Sequence, residues 1–117
     1  MQIIEKPWGR EILIEKNDKY VVKQLEMTKG HRCSLQYHEK KTETFYVVKG
    51  LLKVLIGDKV ESLTERVFKP GEALTLLPFK IHRMEAIEDC VYLEASTIEL
   101  DDVVRLKDDY KRTAEAS

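Results

Sequence analysis

The feature that most constrains this chain is a succession of short alternating or β-branched runs, each closed by turn-forming residues, with no amphipathic helical stripe of useful length between residues 20 and 97. The runs occupy residues 11–15, 20–27, 32–38, 43–48, 51–56, 60–67, 73–77, 82–86 and 91–96. Between them stand Asn17-Asp18, Lys29-Gly30, Lys49-Gly50, Gly57-Asp58, Pro70-Gly71 and Glu88-Asp89, pairs that tolerate turn conformations. Without helices to act as crossovers a parallel α/β sheet is excluded, and no self-similar period suggests a repeat array. The pattern predicts an all-β, antiparallel jelly-roll barrel, and a length of 117 residues suits a single domain over 1–117. The charged tail at 100–112 is anchored only by Val103, Val104, Leu106 and Tyr110; it predicts a short C-terminal helix or extended arm packed on the barrel, with the last five residues frayed.

Composition narrows the function classes. Apolar residues are 43% and charged residues 35%, with a net charge of −1, which fits a folded protein and supplies no basic excess for nucleic acid. The first residues, MQIIEKPWGREILIEK, carry charges where a signal peptide needs an apolar run, and no stretch approaches the roughly 20 apolar residues of a membrane span. A cytoplasmic protein with neither nucleic-acid nor membrane partners is therefore expected. Cys33 and Cys90 form no CxxC pair and read as small core hydrophobes.

The three histidines are His31, His38 and His82. In GHRCSLQYHEKKTETFYVVKG, Gln36 and His38 are two apart and so share one face of a strand. The residues between His38 and Glu43 suit a hairpin turn, which returns Glu43 beside His38. After the Pro70-Gly71 turn and another strand, His82 is placed to complete a set of Gln36, His38, Glu43 and His82. Two imidazoles, a carboxylate and an amide oxygen suit one divalent ion, zinc first among zinc, manganese, iron, nickel and cobalt, with positions left for water or substrate. Phe45 and Val47 share the parity of Glu43 and are expected to line the barrel, with Trp8 covering one end.

At these residues the chain resembles the C-terminal cupin domain of type II phosphomannose isomerases, which are often fused to a GDP-mannose pyrophosphorylase domain. The matching pieces are Lys6-Pro7-Trp8-Gly9, Cys33-Ser34-Leu35-Gln36-Tyr37-His38, Glu43 to Gly50, His82-Arg83-Met84-Glu85, and Asp101-Asp102-Val103-Val104-Arg105 with Asp108-Asp109-Tyr110. The resemblance spans about residues 5 to 112 and implies an RmlC-like cupin barrel. It also implies aldose to ketose isomerisation of a sugar phosphate, mannose 6-phosphate being the expected example. Such a reaction moves a proton between adjacent carbons through an enediol, which a divalent ion stabilises while a nearby base carries the proton. Lys41, Glu85 and Glu94 are the candidates for catalytic proton transfer. Arg32, Arg83 and Arg105 are the candidates for substrate phosphate, Arg32 by strand parity with Ser34, Gln36 and His38. No pyrophosphorylase domain lies in these residues, so nucleotidyl transfer is not expected of them.

Two departures from the family pattern bear on substrate more than on metal. Lys41 stands where the family usually has an arginine, whose bidentate fork a lysine lacks. Before the last histidine, Pro78-Phe79-Lys80-Ile81-His82 is one residue shorter than the usual P-x-G-x-x-H and has no glycine, so a tighter loop is expected. The other readings of such a barrel are a sugar epimerase, a dioxygenase, or a non-catalytic metal- and sugar-binding cupin. A homodimer is expected through the sheet edges near residues 12–14 and 21–24.

Overall fold

The structure is a computed structural model and describes residues 1–110. Its strands are β1 (Gln2–Lys6), β2 (Gly9–Lys16), β3 (Val21–Met27), β4 (Leu35–Tyr37), β5 (Glu43–Lys49), β6 (Leu52–Gly57), β7 (Thr64–Phe68), β8 (Ala73–Leu76), β9 (Ile81–Ala86), β10 (Cys90–Ser96) and β11 (Val104–Lys107), with one 3-10 turn at Val60–Ser62. They pair antiparallel in two sheets, of order β1-β2-β3-β10-β5-β8 and β11-β4-β9-β6-β7. This is the all-β jelly-roll barrel that the strand pattern predicts. No helix among the described residues is long and apolar enough to cross a membrane.

The core lies between the two sheets. Leu25, Met27, Phe45, Val47 and Tyr92 come from one, and Leu52, Val54, Phe68, Met84 and Ala86 from the other. Phe45 meets Phe68 at 5.0 Å and Tyr92 at 6.5 Å, both edge-on, the favoured arrangement of aromatic quadrupoles. Along β5 the inward positions are Glu43, Phe45 and Val47, as parity predicts, so the strand carries a carboxylate at one end of the barrel and packing residues further in. Two glycines allow the chain to close on itself. A Cβ on Gly9 would stand 1.9 Å from the carbonyl oxygen of Glu26, and one on Gly50, at φ +83°, 2.2 Å from that of Asp89.

Of the two forms expected for the tail, the structure takes the extended arm: Val104–Lys107 joins the edge of β4 as β11, which satisfies backbone groups that β4 would otherwise expose. The last five residues, and Lys111 and Arg112, lie outside the described residues. Other expectations are corrected. The run at 60–67 divides into the 3-10 turn and β7, an exposed edge strand. The run at 32–38 keeps only Leu35–Tyr37 as strand, with an isolated bridge from Arg32 to Glu85. β1, which the sequence reading left unassigned, pairs with β2 in the register Ile3 to Ile12.

Candidate metal centre

The expected hairpin after His38 does not form: the connection from β4 to β5 crosses from one sheet to the other. That crossing and the start of β9 still bring His38, Glu43 and His82 together, their ligand atoms within 4.8 Å of one another. All are buried, at 3%, 2% and 1% exposure. Glu43 stands in the middle, its Oε1 at 2.7 Å from Nε2 of His38 and 3.7 Å from Nε2 of His82. Gln36 sits directly across the β4–β9 pairing from His82, and its Oε1 accepts the Ser34 hydroxyl at 2.5 Å.

Backbone carbonyls orient both imidazoles. Nδ1 of His82 meets the carbonyl of Lys80 at 2.9 Å, and Nδ1 of His38 meets the carbonyl of Asp102. A carbonyl only accepts, so each Nδ1 donates and each ring turns its Nε2 towards Glu43. This is the outer arrangement that fixes metal-binding histidines elsewhere. Nε2 of His38 makes no hydrogen bond although Oε1 of Glu43 is so near. Two acceptors at that separation need a proton or a cation between them. The donor set of two nitrogens and a carboxylate, with the Gln36 amide beside it, fits a borderline divalent ion and offers no thiolate to a soft one.

Burial pushes the Glu43 carboxyl up, but the close contact with Nε2 of His38 and the Lys41 ammonium outweigh it and hold the group near 2, ionised. Burial lowers the pKa of His82, which keeps its ring neutral and its lone pair available. Glu94 is raised well above the ordinary carboxylate range by burial and by the neighbouring Glu43 charge, which favours its protonated form.

A cavity of about 110 Å³ opens onto this cluster, lined by Gln36, His38, Lys41, Glu43, Glu94 and Arg105 among others. Trp8 is among its lining residues, and Glu11 and Lys23, an ion pair at 3.3 Å, complete the wall. His82 does not line the cavity but sits behind Glu43.

The remaining candidates divide. Lys41, Glu94 and Arg105 line the cavity, and Nε of Arg105 is buried without a hydrogen-bond partner among the described residues. Arg32, Arg83 and Glu85 lie elsewhere, on the outer side of the sheet. Arg32 clasps Asp109 through Nε at 2.6 Å and Nη2 at 3.1 Å, while Arg83 reaches Asp109 at 2.7 Å and the Cys33 carbonyl at 2.9 Å. Glu85 faces Arg32 and Lys53. Parity fails for Arg32 because the strand has not yet begun at Cys33 and Ser34; Cys33 lines the cavity instead. Sequence reasoning missed Glu11 and Lys23, whose signal is a charged pair on strands whose neighbouring inward positions are apolar. It also missed Asp102, whose carboxylate holds the turn after His38.

Comparison with known proteins gives the family and the fold. The family described as "Mannose-6-phosphate isomerase C-terminal" matches residues 1–108. Similar relatives include the alginate biosynthesis protein AlgA of Pseudomonas aeruginosa, 31% identical over 96% of this chain and 23% of its own length. A mannose-1-phosphate guanylyltransferase of Escherichia coli is 34% identical over 93% and 23%. The chain thus spans about a quarter of the length of these curated relatives. Among solved structures, the capsular polysaccharide assembling protein CapF of Staphylococcus aureus superposes with a TM-score of 0.80 at 19% identity, over 91% of this chain and 31% of CapF. An RmlC-like cupin from Shewanella frigidimarina gives 0.73 at 15% identity, over 86% of each chain. At these identities the structural likeness speaks to the fold, which is that of a cupin.

Proposed function

This chain belongs to the mannose-6-phosphate isomerase C-terminal family, and from that premise we propose that it is a cytoplasmic, metal-dependent cupin that isomerises a phosphorylated sugar between aldose and ketose. The observation that carries the reading is the buried group of His38, Glu43 and His82 at the base of a polar cavity. Those residues, with Gln36, would hold one divalent ion, zinc first. Bound there, it would supply an electrophile for a sugar carbonyl and the neighbouring hydroxyl.

The chain's own side chains divide the remaining work. Glu94 faces the same cavity with its pKa raised by burial, which suits a group that exchanges a proton with adjacent sugar carbons. Lys41 and Arg105 place positive charge on the wall, where it favours an anionic substrate and a developing enediolate. Trp8 and Tyr92 close the cavity against bulk water. Small-molecule sites usually enclose roughly 300 Å³ or more. A cavity of about 110 Å³ therefore admits the reacting end of a sugar and leaves the phosphate at the mouth.

That volume also favours a second reading, a cupin that binds metal and sugar without turnover. The printed names of several relatives, which are mannose-1-phosphate guanylyltransferases, fit such a companion role. Proton NMR of metal-loaded protein with mannose 6-phosphate in deuterated water separates the two. The isomerase reading expects loss of the C2 proton signal and appearance of fructose 6-phosphate. Thermal stabilisation by sugar phosphate, with no exchange in hexose, pentose or heptose phosphates, would establish the binder instead. A homodimer belongs to the same proposal, but not through the edges expected at residues 12–14 and 21–24: β2 is flanked by β1 and β3, and β3 by β2 and β10, which leaves the free edge of β1, where Ile3 is 55% exposed, as the edge to pair.

A further inference from the structure

We infer that Asp102 is a positioning residue for the candidate metal centre, one residue of the C-terminal arm fixing both the ring of His38 and the turn that presents Lys41. The inference rests on the metal-centre reading and goes beyond it to what holds the centre in shape. The Asp102 carboxylate accepts three successive backbone N–H groups, from Glu39 at 3.0 Å, Lys40 at 2.7 Å and Lys41 at 2.8 Å. Its own carbonyl accepts Nδ1–H of His38. Successive N–H groups in a turn form an anion-binding concavity, and here a residue distant in sequence fills it. Without that anion, the turn between the two ligand-bearing strands would turn its donors to solvent and lose its fixed shape.

The arm's register explains why this residue arrives there. β11 pairs Val104 with Tyr37 and Arg105 with Gln36, which sets Asp102 beside the end of β4, where His38 follows. The same arm lends Leu100, Val103 and Arg105 to the cavity wall. The side-chain chemistry is specific: a carboxylate is acceptor-only, whereas an asparagine would set an NH₂ group against at least one of the three donors. Asp101, its neighbour, is exposed and serves as a control.

The test uses the full chain as the parent and as Asp102→Ala, Asp102→Asn and Asp101→Ala. Imidazole nitrogen NMR of the zinc-loaded protein reads the tautomer of His38, and chelator competition reads zinc affinity. The parent and Asp101→Ala are expected to keep the proton on Nδ1, where the Asp102 carbonyl accepts it. Asp102→Ala is expected to mix tautomers, to speed amide exchange at Glu39, Lys40 and Lys41, and to weaken zinc about 10–100-fold, the usual cost of losing a supporting contact. Asp102→Asn should fall between, and it decides the matter if the alanine variant does not fold. A folded Asp102 variant that keeps the parent's tautomer, with zinc affinity within about twofold, overturns the inference. If the parent itself binds no zinc, the metal reading fails, and the amide exchange still decides the role of Asp102.

Discussion

Strand β9 presents two buried ionisable side chains in succession, His82 inward and Arg83 outward, at 1% and 5% exposure, and their surroundings are built on opposite terms. On the outer face Arg83 and Arg32 share the Asp109 carboxylate, and Arg83 also caps the Cys33 carbonyl. Charges there are matched by fixed hydrogen bonds. On the inner face Glu43 lies among two imidazoles, one with an unpartnered Nε2, and next to a second carboxyl, that of Glu94. Completed networks hold a fold together, whereas buried groups left short of a partner mark a place where something binds. Arg32, Arg83 and Glu85 resemble site residues in sequence because they neighbour the ligands, but one step along a strand reverses the face.

The contrast can be broken from either side. The largest effect is expected from Glu43→Gln, which keeps the shape of the side chain and removes the shared negative charge. Zinc affinity should fall more than about 100-fold by chelator competition, since a ligand is lost rather than a supporting contact. Arg83→Met should act in the opposite sense. It leaves Asp109 and the Cys33 carbonyl short of a donor and is expected to cost about 2 kcal/mol in denaturant unfolding, while zinc affinity stays within about twofold. A large loss of metal in Arg83→Met would erase the distinction between the two faces.

A smaller effect concerns the loop that leads to His82. Phe79 adopts φ +67°, in the left-handed region, donates its N–H to the His38 carbonyl at 2.6 Å, and stacks on Tyr37 with centroids 5.9 Å apart. The shortened loop makes its turn with a phenylalanine where the resemblance leads one to expect a glycine. Phe79→Asn and Phe79→Val both lose the ring contact, but only valine resists this backbone. The valine variant should be less stable than the asparagine variant by about 1 kcal/mol in thermal unfolding.

The smallest effect is on pH. Hydrogen bonding to Arg32 lowers the Asp109 carboxyl against the opposing effect of burial, and Arg83 adds to the lowering. A carboxyl depressed in the folded state contributes stability above its unfolded pKa of about 3.9 and loses it as the pH falls through the folded value. Amide exchange in β11 should therefore rise below about pH 4, and Asp109→Asn should flatten that rise. The exposure of Asp109 and Arg32, 42% and 38%, limits the gain to a surface pair's share, about 1 kcal/mol or less.

The parts of the fold legible in sequence are those where alternation meets burial on one face. β5 reads directly because Glu43, Phe45 and Val47 point inward between outward Thr44, Tyr46 and Val48. β1 does not, because an exposed edge strand carries no such alternation. The tail left helix and arm open; Val104–Lys107 settles on the strand side because β4 has an edge to offer. Of the candidate site, His38, Glu43 and His82 meet as their spacing predicts, and Gln36 stands across from His82. The supporting shell is less legible. Asp102 reaches the turn from more than sixty residues away, and no local pattern encodes such a contact.

A metal on the inner face of β9 is open to direct elemental mass spectrometry on tag-free protein, with His38→Ala and His82→Ala at matched folding state. About one divalent ion per chain is expected in the parent, and loss of that ion in both variants. A folded parent that takes up none of zinc, manganese, iron, nickel or cobalt, or variants that retain the ion, would contradict the metal centre.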